Sequence, residues 1–133
     1  MSSQPLYVTD THSLIWYLAA SPRLSPAAKR PFDQAHAGSP KIIVPIIVMA
    51  ELVFLIEKGR VKADADQIVA RIAGDPNYEI SPLEVEHILC LKEQTTVSEM
   101  HDRLLVCEAL KHDAKLITKD EEVAAADVVD VIW

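Results

Sequence analysis

Glycine is nearly missing from this chain, with only 3 in 133 residues. Neither G-x-x-x-x-G-K nor G-x-G-x-x-G occurs, so a glycine-rich loop cradling phosphates is excluded. Cysteine is scarce too. Cys90 and Cys107 are the only two, with no C-x-x-C pair and no histidine in ligand spacing. They are expected as two buried free thiols rather than a zinc site or a disulfide. No uninterrupted apolar run is long enough to span a bilayer. The N-terminal Met-Ser-Ser-Gln-Pro lacks the basic and apolar parts of a signal peptide. The expectation is a soluble, cytoplasmic protein with no membrane partner.

An excess of positive charge is also absent. The net charge is −7, which argues against binding nucleic acid through a broad basic face. It leaves open chemistry that meets a phosphodiester through bound metal ions, and it suits a basic partner protein. Half the residues are hydrophobic and a quarter charged, the composition of a globular chain. The length fits one domain over residues 1–133.

Against that background one residue stands out. Glu51 is the only charge in Ile42-Ile-Val-Pro-Ile-Ile-Val-Met-Ala-Glu51-Leu-Val-Phe-Leu-Ile56. A stretch so apolar belongs in a core, where an unpaired carboxylate costs several kcal/mol or holds a proton. A basic partner, a polar cleft or a metal ion must offset that cost.

Strand and helix signals alternate along the chain. Leu6-Tyr-Val-Thr9 reads as a strand ending at Asp10. A helix follows through Leu14-Ile-Trp-Tyr-Leu18, with Thr11 or Ser13 as its cap. Ser25-Pro26 opens a second helix, closed by Ala37-Gly38-Ser39-Pro40. Residues 41–44 form a buried strand. A helix over 46–58 then stops at Gly59, and another spans 63–73. A brief strand at 78–80 precedes a helix from Ser81-Pro82 to about Lys92, and 93–99 is a polar loop. Residues 101–112 form a periodic helix, 114–118 a strand and 128–133 a last strand. This alternation predicts an α/β three-layer sandwich with a mostly parallel central sheet.

In open α/β sheets, sites form beyond the carboxyl ends of the strands. Asp10 and Asp120 each follow a strand, Glu51 lies early in a post-strand helix, and Asp102 begins a helix. Four carboxylates converging from four segments would repel one another and raise their own pKa values. Oxygen-only ligands suit Mg²⁺ or Mn²⁺, and two such ions support phosphodiester cleavage. Each acid also has a structural reading: Asp10 as a cap, Asp102 as a dipole partner, Asp120 in a solvated Lys-Asp-Glu-Glu cluster, Glu51 paired with a buried base.

The motifs Val8-Thr-Asp10-Thr-His12, Val48-Met-Ala-Glu51-Leu52, His101-Asp-Arg-Leu-Leu-Val106 and Leu116-Ile-Thr-Lys-Asp-Glu121 resemble PIN-domain ribonucleases, specifically VapC-type toxins of prokaryotic toxin–antitoxin systems. The resemblance implies a PIN-like fold and Mg²⁺- or Mn²⁺-dependent endoribonuclease activity on RNA. It also implies a homodimer, and a cognate antitoxin that presents a basic inhibitory segment. Asp10, Glu51, Asp102 and Asp120 carry over as catalytic, metal-binding acids. Thr118 is expected to hydrogen-bond within the site, and Thr11 to help position Asp10.

His12 and His101 are read as helix-terminus or supporting groups rather than general bases. Arg103 is read as a structural ion-pair partner ahead of a phosphate contact. Trp16, Tyr17 and Phe54 are assigned to core or dimer packing ahead of base stacking. Three other readings stand beside the toxin: a free-standing nuclease without antitoxin, a catalytically silent PIN-like interaction module, and an aspartate-phosphorylating α/β domain. The last is disfavoured because Asp10-Thr-His lacks a D-x-D pair.

Overall fold

Five short strands, all parallel, form the centre of the molecule, in the order β3-β2-β1-β4-β5. They are β1 (Tyr7–Thr9), β2 (Ile42–Pro45), β3 (Tyr78–Ser81), β4 (Lys115–Ile117) and β5 (Val131–Ile132). The helices are α1 (Thr11–Leu18), α2 (Pro26–His36), α3 (Ile46–Glu57), α4 (Ala65–Ala73), α5 (Val85–Leu91), α6 (Met100–His112) and α7 (Glu121–Ala126). This computed structural model describes residues 5–38 and 40–133. The N-terminal Met-Ser-Ser-Gln, and Ser39 in the segment expected to close the second helix, lie outside them. The expected α/β architecture stands, with a sheet wholly rather than mostly parallel.

Chain direction explains the layering. From β1 the chain steps to β2 and β3 on one side, then returns to β4 and β5 on the other. Right-handed crossovers place the helices of these two journeys on opposite faces. The contacts agree: α1 packs on α2 and α3, and α3 on α4, while α6 covers β1 and β4 and packs on α5. The order reverses between β1 and β4, and ligand crevices open at that point in such sheets.

Buried on both faces, β2 is apolar throughout (Ile42, Ile43, Val44, Pro45). It packs into a single core with Val8, Leu14, Phe32, Leu52, Leu116 and Ile117. Helix α3 buries Val48, Met49, Leu52 and Leu55. Its other side is open: Ile46 is 43% and Phe54 55% exposed. The apolar run around Glu51 is therefore only half core. Phe54 does not pack in the interior, and the Lys58 ammonium sits 5.1 Å from its ring centre.

Local chemistry moved several boundaries. Asp10, not Thr11 or Ser13, caps α1, accepting from Ser13 N at 2.8 Å. Helix α5 starts at Val85, because Ser81 is still paired in β3 and Glu84 forms a capping box with His87. Helix α7 lies where only a charged cluster was read, capped by Asp120. Within the polar loop after α5, Val97 is fully buried. Arg103 donates to the Val97 carbonyl at 2.5 Å. Among the described residues it forms no ion pair, so that expectation is corrected.

The cysteines are the clearest correction. Cys90 on α5 and Cys107 on α6 are joined in a disulfide with Cα atoms 5.9 Å apart, not left as free thiols. A spacing of 17 carries no pairing signal; the packing of α5 on α6 brings the two together. The same interface buries a polar network. Glu108, only 2% exposed, accepts from Ser81 and His87 and meets His112 Nε2 at 2.8 Å. His87 Nδ1 accepts from Glu84 N at 3.0 Å, which fixes the Nε2–H tautomer facing Glu108.

Candidate active site

The four acids singled out in the sequence share one cleft. Asp10, Glu51, Asp102 and Asp120 all line a cavity of about 720 Å³ at the carboxyl edge of the sheet. Each arrives differently. Asp10 terminates β1, and its backbone N–H bonds the Ile117 carbonyl of β4 at 3.1 Å, which fixes it at the switch point. Glu51 projects from the second turn of α3, Asp102 from the first turn of α6, and Asp120 caps α7.

Glu51 is half-buried and accepts a hydrogen bond from the Thr11 hydroxyl. Thr11 was expected to help position Asp10; it ties Glu51 to the residue beside Asp10 instead. Among the described residues no cation pairs with Glu51, Asp10, Asp102 or Asp120. The buried-base explanation for Glu51 therefore has no partner. Thr118 accepts from Asp120 N at 3.1 Å and bonds the Asp10 carboxylate. One hydroxyl thus links the ends of two adjacent strands.

The electrostatics follow from this crowding. Burial raises the Asp102 carboxyl, and the charges of Asp120, Glu99 and Asp10 push it further, to about 7. Burial also raises Asp10, against hydrogen bonds from Ser13 and Thr118 that hold it down. At neutral pH, Asp102 and Asp120 act as a coupled carboxyl pair with a proton partly retained between them.

Several residues of the cleft went unremarked in the sequence. Glu99 caps α6, accepting from Asp102 N at 3.0 Å, and holds His101 Nδ1 at 2.9 Å. Its hydrogen bond is the main cause raising His101, which supports the helix-terminus reading of that histidine. Glutamate is a poor N-cap, so no signal marked it. Arg23, Lys119 and Glu121 also line the cleft, with His12 and Trp16.

Four acid side chains without cations, one of them driven to hold a proton, form an oxygen-only donor set that fits a hard divalent ion such as Mg²⁺ or Mn²⁺. The fit is one of chemistry rather than of a finished cage. Among the described residues, no three His, Cys, Asp or Glu side chains are gathered closely enough to hold an ion as they stand.

A family model for the PIN domain matches residues 7–129. The chain belongs to the PIN domain family. Its all-parallel sheet and helices are the PIN fold, and solved structures share it at low identity. A toxin–antitoxin complex from Klebsiella pneumoniae aligns with a TM-score of 0.66 at 16% identity, covering 92% of this chain and 94% of that one. FitAcB from Neisseria gonorrhoeae aligns at 0.62 and 14% identity, over 95% of this chain and 96% of that one. PAE2754 from Pyrobaculum aerophilum aligns at 0.59 and 17%, over 96% of this PIN chain and 89% of its own. No curated protein matches the sequence. No helix among the described residues is long and apolar enough to cross a membrane.

Proposed function

We propose that this PIN domain is a Mg²⁺- or Mn²⁺-dependent endoribonuclease, the toxin of a toxin–antitoxin pair acting in the cytoplasm. The observation that carries the reading is the cleft itself: Asp10, Glu51, Asp102 and Asp120 from four segments, none paired with a cation. These acids would hold the metal. When bound, the metal supplies an activated water and charge stabilisation for phosphodiester hydrolysis. The chain's own residues do the rest. Thr118 and Ser13 hold the Asp10 carboxylate, and Thr11 holds Glu51. Asp102 gives up its proton as positive charge enters the cleft. Arg23 and Lys119 at the cleft wall offset the repulsion between acidic protein and phosphate.

The structural likeness to a toxin–antitoxin complex supports an antitoxin partner. An acidic cleft without internal cations suits an inhibitory segment that inserts a basic side chain. The homodimer expected from the family resemblance has support in large apolar side chains left outside the core, with Phe54 55%, Val85 71% and Leu89 57% exposed. A catalytically silent PIN-like module is the second reading, favoured by the absence of a preassembled three-ligand site among the described residues.

RNA degradation by antitoxin-free protein in Mg²⁺ or Mn²⁺ separates the two. Asp102→Asn is expected to lower the cleavage rate by at least about a hundredfold, on the scale of losing one charge-stabilising group. A folded wild-type chain that cuts no RNA in either metal would overturn the nuclease.

A further inference from the structure

One indole borders the two main cavities of the molecule. Trp16 of α1 lines the acidic cleft, and it also lines a second cavity of about 590 Å³ walled in part by Tyr17 and Tyr78. The ring is half-buried, with its inner part packed against the core. Toward the acids it meets the exposed His12 ring at 5.7 Å, and Trp133 stands edge-on at 5.8 Å. Aromatic faces thus lead from the four carboxylates toward the second cavity.

Cations flank this path in a chain that has few. Lys and Arg together number 13 against 20 acids. Arg23 lines the acidic cleft, and Lys29 and Arg71 line the second cavity. Among the described residues none of the three is in an ion pair. Two acids of that cavity already have partners: Asp33 accepts from the Tyr17 hydroxyl at 3.1 Å, and Asp75 from Asn77 N at 2.8 Å. Stacking faces combined with local cations bind single-stranded nucleic acid, whose bases are free to leave their stack; duplex RNA does not offer them.

We propose that Trp16 is a stacking platform for single-stranded RNA. A base next to the scissile phosphate lies on the indole, and the strand continues into the second cavity, where Lys29 and Arg71 meet its phosphates. The cleavage half of this statement rests on the nuclease reading above. The binding half does not. Trp16 is a positioning residue here, acting on where the strand sits.

Trp16 and Trp133 are the only 2 tryptophans, so Trp133→Phe leaves Trp16 as the sole indole reporter. In an Asp102→Asn, Trp133→Phe chain with Mg²⁺, a single-stranded hexaribonucleotide should quench that fluorescence, and a duplex of the same sequence should not. In cleavage assays on the chain with all four acids, Trp16→Leu keeps an apolar filler and removes the π-face. It should raise KM about tenfold with kcat unchanged, and Trp16→Phe should restore most of the loss. Replacing both Lys29 and Arg71 by Gln should reduce the slope of log affinity against log salt by about 1. Equal quenching by duplex, or single-strand affinity unchanged in a folded Trp16→Leu chain, overturns the proposal. Cleavage with unchanged KM in Trp16→Leu would remove the platform and leave the nuclease standing. Quenching by the single strand without cleavage by any chain would do the reverse.

Discussion

Asp102 is where proton and metal compete. Its carboxyl stands at about 7 against an ordinary 3.8, so the native state keeps a proton that the unfolded chain has lost. The metal-free protein should therefore lose stability as pH climbs from about 4 through 7, because the unfolded state deprotonates first. Asp102→Asn removes that penalty. In EDTA, the variant should melt above wild type at pH 8, with the gap closing toward pH 4, as read by calorimetry. Binding of a divalent ion must displace the same proton. The apparent Mn²⁺ affinity should rise up to tenfold per pH unit below 7 and level off above it, measurable by titration calorimetry. An affinity flat across pH 5.5–8 would contradict a role for Asp102 as ligand.

Among the elements, α5 depends most on its neighbours. It has seven residues and no side-chain hydrogen bond at its cap beyond the Glu84–His87 box, and isolated helices that short do not persist in water. The Cys90–Cys107 bridge, the Glu108 network and the Lys111–Glu84 pair hold it to α6. Closing a loop of this length stabilises by about 3 kcal/mol in the chain-entropy picture. Cys90→Ala, or a reducing agent, should lower urea-unfolding stability by about that amount. Disulfides are uncommon in a reducing cytoplasm, so a toxin working there would rely on the Glu108 network to seat α5.

The readable elements were those with a period of their own: β2 as an apolar run, α2 with Ser25 and Pro26 at its start, α6 with its apolar stripe. Helices α5 and α7 were misjudged or missed, since both are short and capped by acidic residues that read equally well as solvated charge.

At the scale of the whole molecule, a chain of net charge −7 gathers carboxylates at one sheet edge, and that arrangement is stabilised by anything that supplies positive charge. Mn²⁺ at about a hundred times its dissociation constant would add about 2.7 kcal/mol to the native state. For a domain of this size that is a melting shift of roughly 5–15 °C, visible in a thermal scan. Asp10→Asn or Asp102→Asn should shrink the shift, and no shift at millimolar metal would sink the metal site.

Glu51 marks how far sequence reached and where it stopped. Sequence alone determined the class of fold, because alternating strand and helix signals admit few layered packings. It also determined that Asp10, Glu51, Asp102 and Asp120 would stand at element ends on one edge, since in a parallel sheet every strand finishes on the same side. What lies between those ends was decided only in three dimensions. Thr11 reaching Glu51, Thr118 bridging Asp10 and Asp120, Trp16 bordering two cavities, and Cys90 meeting Cys107 all join residues far apart in the chain or facing across helices. Their pairing depends on packing angles and side-chain directions, for which a linear pattern carries no period.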